Sequence, residues 1–452
     1  SRATAATRAV PTGPLRPGAC TGAMAADRAS DDETRAPGEE PWRRPSRRPI
    51  RRRIEWNGMT AVSPPSGVRA WRTAVFGVFA LNGLGIAAII SRAPTLRAQL
   101  HIDLAQMGVL IFAASVGSMM GLLLSAHVVQ AFGRRPTITA TLPLCGIAVT
   151  GIGIGADLGS YAIAWGSLVV YGIATSICDV AMNVEGGSVE RATGRTIMPW
   201  FHAAWSVGTV ISAGAGAASA FARIPPVLHL GIVAAVLVAG GIVAGRFLPR
   251  LDALGEDAAE PLGFRERISV WLEPRTLLIG LIMLGMSFAE GSANDWLAIG
   301  FHDDRGLDAG QAALVFGAFT VSMTVGRIVG VPLLDRLGRV AMLRAAALAA
   351  LAGLAVVILV PVPAVGVVGV VIWGLGASLG FPVGMSAAGD DPVRASARVS
   401  AVATIAYGAF LIGPPVIGVV GQQIGVLNAL WIVFGLVAAG ALAIPAARPP
   451  RR

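Results

Sequence analysis

The sequence predicts an all-α membrane protein with twelve transmembrane helices in two six-helix pseudo-repeats. Three observations carry this. More than half of the 452 residues are hydrophobic and 14% are charged, which leaves too little polar surface to cover a soluble protein of this length. Apolar segments of about 20 residues, enough to cross a bilayer as a helix, recur twelve times. A short polar loop after the second segment returns after the eighth.

The predicted spans cover about 73–91, 106–126, 137–155, 161–182, 198–218, 226–247, 276–299, 310–330, 341–360, 364–386, 398–418 and 424–446. None shows the period-two alternation of a membrane β-strand. They group into bundles over 69–247 and 275–452, joined by a polar central loop at 248–274. Residues 1–68 form an Arg/Pro-rich N-terminal tail with little to bury, predicted to be disordered. The tail lacks the apolar core of a signal peptide. Met59 stands just before span 1, so translation from Met59 is one reading of the tail. A polybasic lipid-binding stretch around Arg43–Arg53 is another.

The formal charge of +10 would suit a nucleic acid, but its placement argues against one. One set of alternate loops carries Arg134, Arg135, Arg191, Arg195, Arg336, Arg339, Arg344, Arg394 and Arg398. The loops on the other side carry Arg92, Arg97, Arg223 and Arg305. This is the positive-inside bias, and it predicts both termini on the cytoplasmic side. Three cysteines without C-x-x-C spacing predict neither a disulfide framework nor a metal site. No cofactor is expected, and no P-loop for ATP is present.

The halves repeat. Gln130-Ala131-Phe132-Gly133-Arg134-Arg135 follows span 2, and Asp335-Arg336-Leu337-Gly338-Arg339 follows span 8, with one offset for Gly and Arg. GGSVERATGR (186–195) answers DDPVRASAR (390–398). Small residues recur every fourth position in span 2 (Ala113, Gly117, Gly121, Ser125) and span 5 (Ala204, Gly208, Ser212, Gly216, Ala220). Span 8 repeats the ladder (Ala318, Ser322, Gly326, Gly330), and span 11 does so weakly. Such ladders let helix backbones approach closely. Spans 3, 6, 9 and 12 are almost wholly apolar, as lipid-facing helices are. Spans 1, 4 and 7 carry the internal polar groups.

Those groups are the candidate path for a solute or ion, because an ionisable side chain in the hydrocarbon layer is costly and turns to the bundle interior. In span 7, Glu290 and Asn294 share a face and Asp295 lies off it. Glu290 is a candidate proton carrier, or else a structural partner of an arginine such as Arg92. In span 4, Asp179 and Asn183 share a face, with Arg191 or Arg195 as alternative partners. His202 heads a polar stripe with Ser206 and Thr209. Asn82 suits either a polar solute or a helix–helix hydrogen bond. Arg92 suits snorkelling or an anion. Trp296, Trp373 and Tyr407 are candidates to stack on a sugar or to anchor span ends.

Twelve spans, a central loop and the G-x-x-x-D-R-x-G-R turn resemble the major facilitator superfamily over roughly residues 70–446. FALNGLGIAAIISRAP (79–94), DVAMNVEGG (179–187) and GRTIMPWFHAAWSVG (194–208) more narrowly resemble a bacterial fucose-permease-like subgroup. The resemblance implies a secondary transporter of the bacterial plasma membrane that rocks two bundles about a central site. The helices bearing the ladders would then form the contact between halves. It implies that Gly133, Arg134, Asp335, Arg336, Gly338 and Arg339 form gating loops that latch the outward-open state. Gln130 departs from the Asp usual at its place. The expected partners are a small polar solute such as a sugar, protons and the lipid bilayer, with the chain a monomer. Efflux of drug-like compounds by proton antiport is the alternative. A membrane enzyme would need an exposed catalytic domain or a metal cluster, and a non-transporting sensor would not need intramembrane carboxylates in matched helices.

Overall fold

The computed structural model describes residues 66–195, 197–249, 269–390 and 394–449. Most of the predicted tail and of the central loop lies outside the described residues. The described chain is helical throughout: α1 (Ser66–Ser91), the short α2 (Ala93–Leu100), α3 (Leu104–Phe132), α4 (Arg134–Asp157), α5 (Tyr161–Thr193), α6 (Met198–Phe221) and α7 (Pro226–Phe247) form the first half. The second half holds α8 (Pro274–Asp303), α9 (Ala309–Leu337), α10 (Arg339–Leu359), α11 (Pro363–Ala377), α12 (Gly380–Ala388), α13 (Ala395–Ile424), α14 (Val426–Ala429) and α15 (Trp431–Ala443). Among the described residues, eleven stretches are long and apolar enough to cross a membrane. The twelfth, α6, is equally long but diluted by His202, Ser206, Thr209 and Ser212.

Local chemistry repeats at the same offset as the loops. Asp103 and Asp308 each accept a hydrogen bond from the backbone N–H of a glutamine three residues on, and that glutamine's side chain accepts one back, closing capping boxes before α3 and α9. Gly133 and Gly338 sit at φ +81° and +76°, each with ψ 163°. Only glycine is at ease there, so each ends one span and turns the chain into the next.

The glycine ladders pack helices inside each half. A Cβ on Gly117 would stand 2.1 Å from the carbonyl oxygen of Val169 on α5, and one on Gly208 would stand 2.0 Å from that of Ala80 on α1. The halves meet along the expected helices, α3 against α13 and α6 against α9, but through other residues. A Cβ on Gly108 would meet the Pro414 carbonyl oxygen at 2.5 Å, and one on Gly310 would meet the Phe221 ring at 2.7 Å. Pro414 has no N–H, so the carbonyl of Phe410 is left without its helical donor. Ser115 of the opposite half donates to it at 2.7 Å.

Span 10, predicted as one helix, is broken between α11 and α12 at Ser378 and Leu379. A break frees backbone carbonyls, which must find other donors inside a membrane. That of Ser378 accepts from Arg327 Nε at 3.4 Å.

Candidate functional site

The polar side chains of the spans divide into those that hold helices together and those that line a gap between the halves. Asn82 belongs to the first group. Its Nδ2 donates to Thr175 Oγ1 at 3.2 Å, and its Oδ1 accepts from Trp205 Nε1 at 3.3 Å, joining α1, α5 and α6. Arg92 is also structural: it is 2% exposed and its Nη2 donates to the Ile224 carbonyl at 2.8 Å. It does not pair with Glu290. Ser206 and Thr209 donate back to carbonyls of their own helix, so the stripe on α6 reduces to His202. Trp296 and Trp373 are 1% and 0% exposed and have no face to offer a solute.

The second group lies midway along the helices. Helix α5 continues to Thr193, well past the predicted span end, so Asp179 stands mid-helix. It is exposed, accepts from Asn183 Nδ2 at 3.2 Å, and its charge reaches the phenol of Tyr407 on α13. His202 is exposed too, packs edge-on against Phe79, and lies within reach of the charge on Arg327 of α9. A surface that water can reach, yet that faces the opposite half, is the wall of a cleft.

On the other wall, Glu290 Oε1 accepts from Arg327 Nη2 at 3.1 Å. Arg327 is a residue the sequence reading passed over. An arginine deep in an apolar span is a signal in the sequence, but Arg327 stands beside Gly326 of the small-residue ladder, a pattern that points to packing. Asn294 and Asp295 are half-buried. Among the described residues no side-chain hydrogen bond or ion pair engages either.

The two ends of the cleft differ. At the arginine-poor end the halves touch: Arg97 pairs with Asp303, and Leu104 N–H donates to Gln422 Oε1 at 2.9 Å. Ala87 and Ala213 of one half bury against Ala298, Ala312 and Phe316 of the other. At the arginine-rich end, the polar contacts among the described residues stay within a half. Arg134 Nε is 3.0 Å from Glu185 Oε2, and Trp71 donates to the same carboxylate. At the repeat-related positions Arg339 Nη1 lies 2.8 Å from Asp390 Oδ2, and Arg275 donates there as well. Burial would raise the Asp390 carboxyl, but the two guanidiniums more than offset it and hold the group below its usual range. Asp335 and Arg336 are exposed without a side-chain partner among the described residues.

A separate cavity of about 590 Å³ between α6, α9 and α11 touches none of the polar groups above, though Ala213 of the seal lines it. Its walls are apolar, and lining residues Leu314, Val321 and Leu375 are also exposed on the outside. It therefore belongs to the bilayer-facing surface and not to the path. No group of three or more metal-ligating side chains occurs among the described residues.

Two six-helix bundles with polar groups between them, in contact at one end, have the architecture of a secondary transporter. The Major Facilitator Superfamily profile matches residues 26–197 and 191–410. The chain is 30% identical over 363 residues to an uncharacterized MFS-type transporter of Yersinia pestis, covering 80% of this chain and 90% of that one. It is 25% identical over 388 residues to the membrane protein MosC of Rhizobium meliloti, covering 84% and 90%. Among solved structures it resembles the nucleoside transporter NupG (17% identity, TM-score 0.67, 85% of this chain and 100% of that one). It also resembles the E. coli fucose:proton symporter FucP (16% identity, TM-score 0.59, 84% and 100%). The chain belongs to the Major Facilitator Superfamily.

Proposed function

We propose that the protein moves a small polar solute such as a sugar or nucleoside across the bacterial plasma membrane, coupled to protons. The observation that carries this is the Glu290–Arg327 pair on the cleft wall. Protonation of Glu290 removes its charge and releases Arg327, which gives a proton a means of changing the cleft. Asp179, Asn183, His202 and Asn294 supply donors and acceptors for a solute, and Tyr407, 40% exposed, supplies a ring. The named activities of FucP and NupG agree in type. The positive-inside rule puts the arginine-rich end in the cytoplasm, so the cleft opens inward.

A thermal-shift screen of hexoses, pentoses and nucleosides on the purified protein tests the solute class, since a ligand of the folded state raises its stability. Hits are then assayed for uptake into proteoliposomes with and without a pH gradient. Shifts confined to large apolar cations, with gradient-driven extrusion, would replace this reading by drug efflux.

A further inference from the structure

We infer that Asp295 is the site at which the proton is loaded from the arginine-poor side; this rests on the proton-coupled reading above. Asp295 lies five residues beyond Glu290 on α8, about 7.5 Å closer to the sealed end at 1.5 Å per residue. One turn before it on the same face, Gly291 meets the ring of Phe410. Three residues after it, Ala298 is buried with Ala87, Ala213 and Phe316 in the contact that closes the arginine-poor end. The carboxylate therefore stands at the inner edge of the seal, where parting of the halves would bring water to it first.

Its surroundings suit a carrier. The side chain is half-buried, and no polar atom of it is sealed off. Yet it has no hydrogen bond or ion pair among the described residues. The charged or titratable groups on the helices packed against α8 are engaged or distant. On α2, Arg97 is taken by Asp303. On α9, Arg327 is taken by Glu290, while Asp335 and Arg336 are at the far end. At the start of α13, Arg394 and Arg398 are taken by Glu273, and Tyr407 lies within reach of the charge on Asp179. On α1, Arg69 and Arg72 lie at the arginine-rich end, and α11, α12, α14 and α15 carry none. An unpaired carboxylate inside a membrane is costly while charged, and binding a proton removes that cost without needing a partner side chain. Glu290 differs, because a proton there must first displace Arg327. The order that follows is uptake at Asp295 when the arginine-poor end opens, then transfer to Glu290, release of Arg327, and loss of the proton to the arginine-rich side.

The test needs no solute. Infrared difference spectra of purified protein between acid and neutral pH report protonated carboxylic acids, and maleimide labelling of Ala298→Cys reports opening of the seal. We expect a carboxylic acid band that titrates in the parent, persists in Glu290→Gln, disappears in Asp295→Asn, and returns shifted in Asp295→Glu. Labelling of Ala298→Cys should rise several-fold with acid in the parent and become pH-independent with Asp295→Asn. Bands and labelling unchanged by Asp295→Asn would overturn the assignment while leaving proton coupling intact. A parent with no pH-dependent labelling would remove the coupled reading itself. Should Asp295→Asn fail to fold, Asp295→Glu decides: an unshifted band would count against Asp295.

Discussion

Glu290 carries its charge deep in an apolar helix, and Arg327 is what makes that tolerable. Removing one member of such a pair leaves the other uncompensated, so single and double changes differ. Glu290→Gln and Arg327→Gln are each expected to lower thermal stability. The double variant should recover part of the loss, with a coupling of about 0.5–3 kcal/mol, smaller if water already screens Arg327. Additive losses in thermal unfolding of the purified variants would mean the pair contributes nothing. In transport, Glu290→Gln is expected to keep solute exchange and lose pH-driven accumulation; proteoliposomes assayed across a pH series check this, and intact accumulation would rule Glu290 out. Glu290, Asp179, Asn183 and His202 were legible as single residues because polar groups in apolar spans stand out. Their partners were not. Arg327, the Asn82–Trp205 bond and the burial of Trp296 depend on which helix faces which, and no local pattern encodes that.

Gly83 and Gly208 let α1 and α6 touch backbone to backbone, and a Cβ on Gly83 would stand 2.1 Å from the Trp205 carbonyl oxygen. Gly83→Ala should therefore cost about 1–3 kcal/mol by overpacking. Gly214→Ala, with nothing within 4 Å, should be neutral or slightly stabilising. Equal melting temperatures for the two would contradict the packing described. Outside the spans, hydrogen bonds from Arg398 and then Arg394, opposed in part by burial, hold the Glu273 carboxyl below its ordinary 4.5. A depressed folded value stabilises above the ordinary carboxylate range and is lost as pH falls below it. Acid should thus loosen the attachment of α13 to α8 at this end, and the acid sensitivity should shrink in Glu273→Gln. The ladders were legible in the sequence as close packing, but not their direction. Spacing shows that a helix has a small-residue face, whereas the neighbour on that face is set by the whole bundle.

Over the whole molecule, among the described residues, the polar contacts that join the ends of the two halves lie at the arginine-poor end. Asp335 has no side-chain partner among the described residues although it is the one acid in a basic turn, which fits a bond made when the arginine-rich end closes. Asp335→Asn is expected to leave this state unchanged, disfavour the other and slow turnover, because a change shifts an equilibrium only through contacts that differ between its states. On this reading the cleft opens at the arginine-rich end in the described state and at the other end later in the cycle. Side-specific labelling by a membrane-impermeant maleimide in oriented vesicles, with Cys20 replaced by serine, tests this alternation. Thr404→Cys, one turn from Tyr407 on the cleft wall, should react only from the arginine-rich face, and the buried Ala298→Cys from neither. Acid applied at the arginine-poor face should make Ala298→Cys reactive from that face and protect Thr404→Cys. Labelling of Thr404→Cys from the arginine-poor face at rest, or labelling of both sites indifferent to the gradient, would contradict the account.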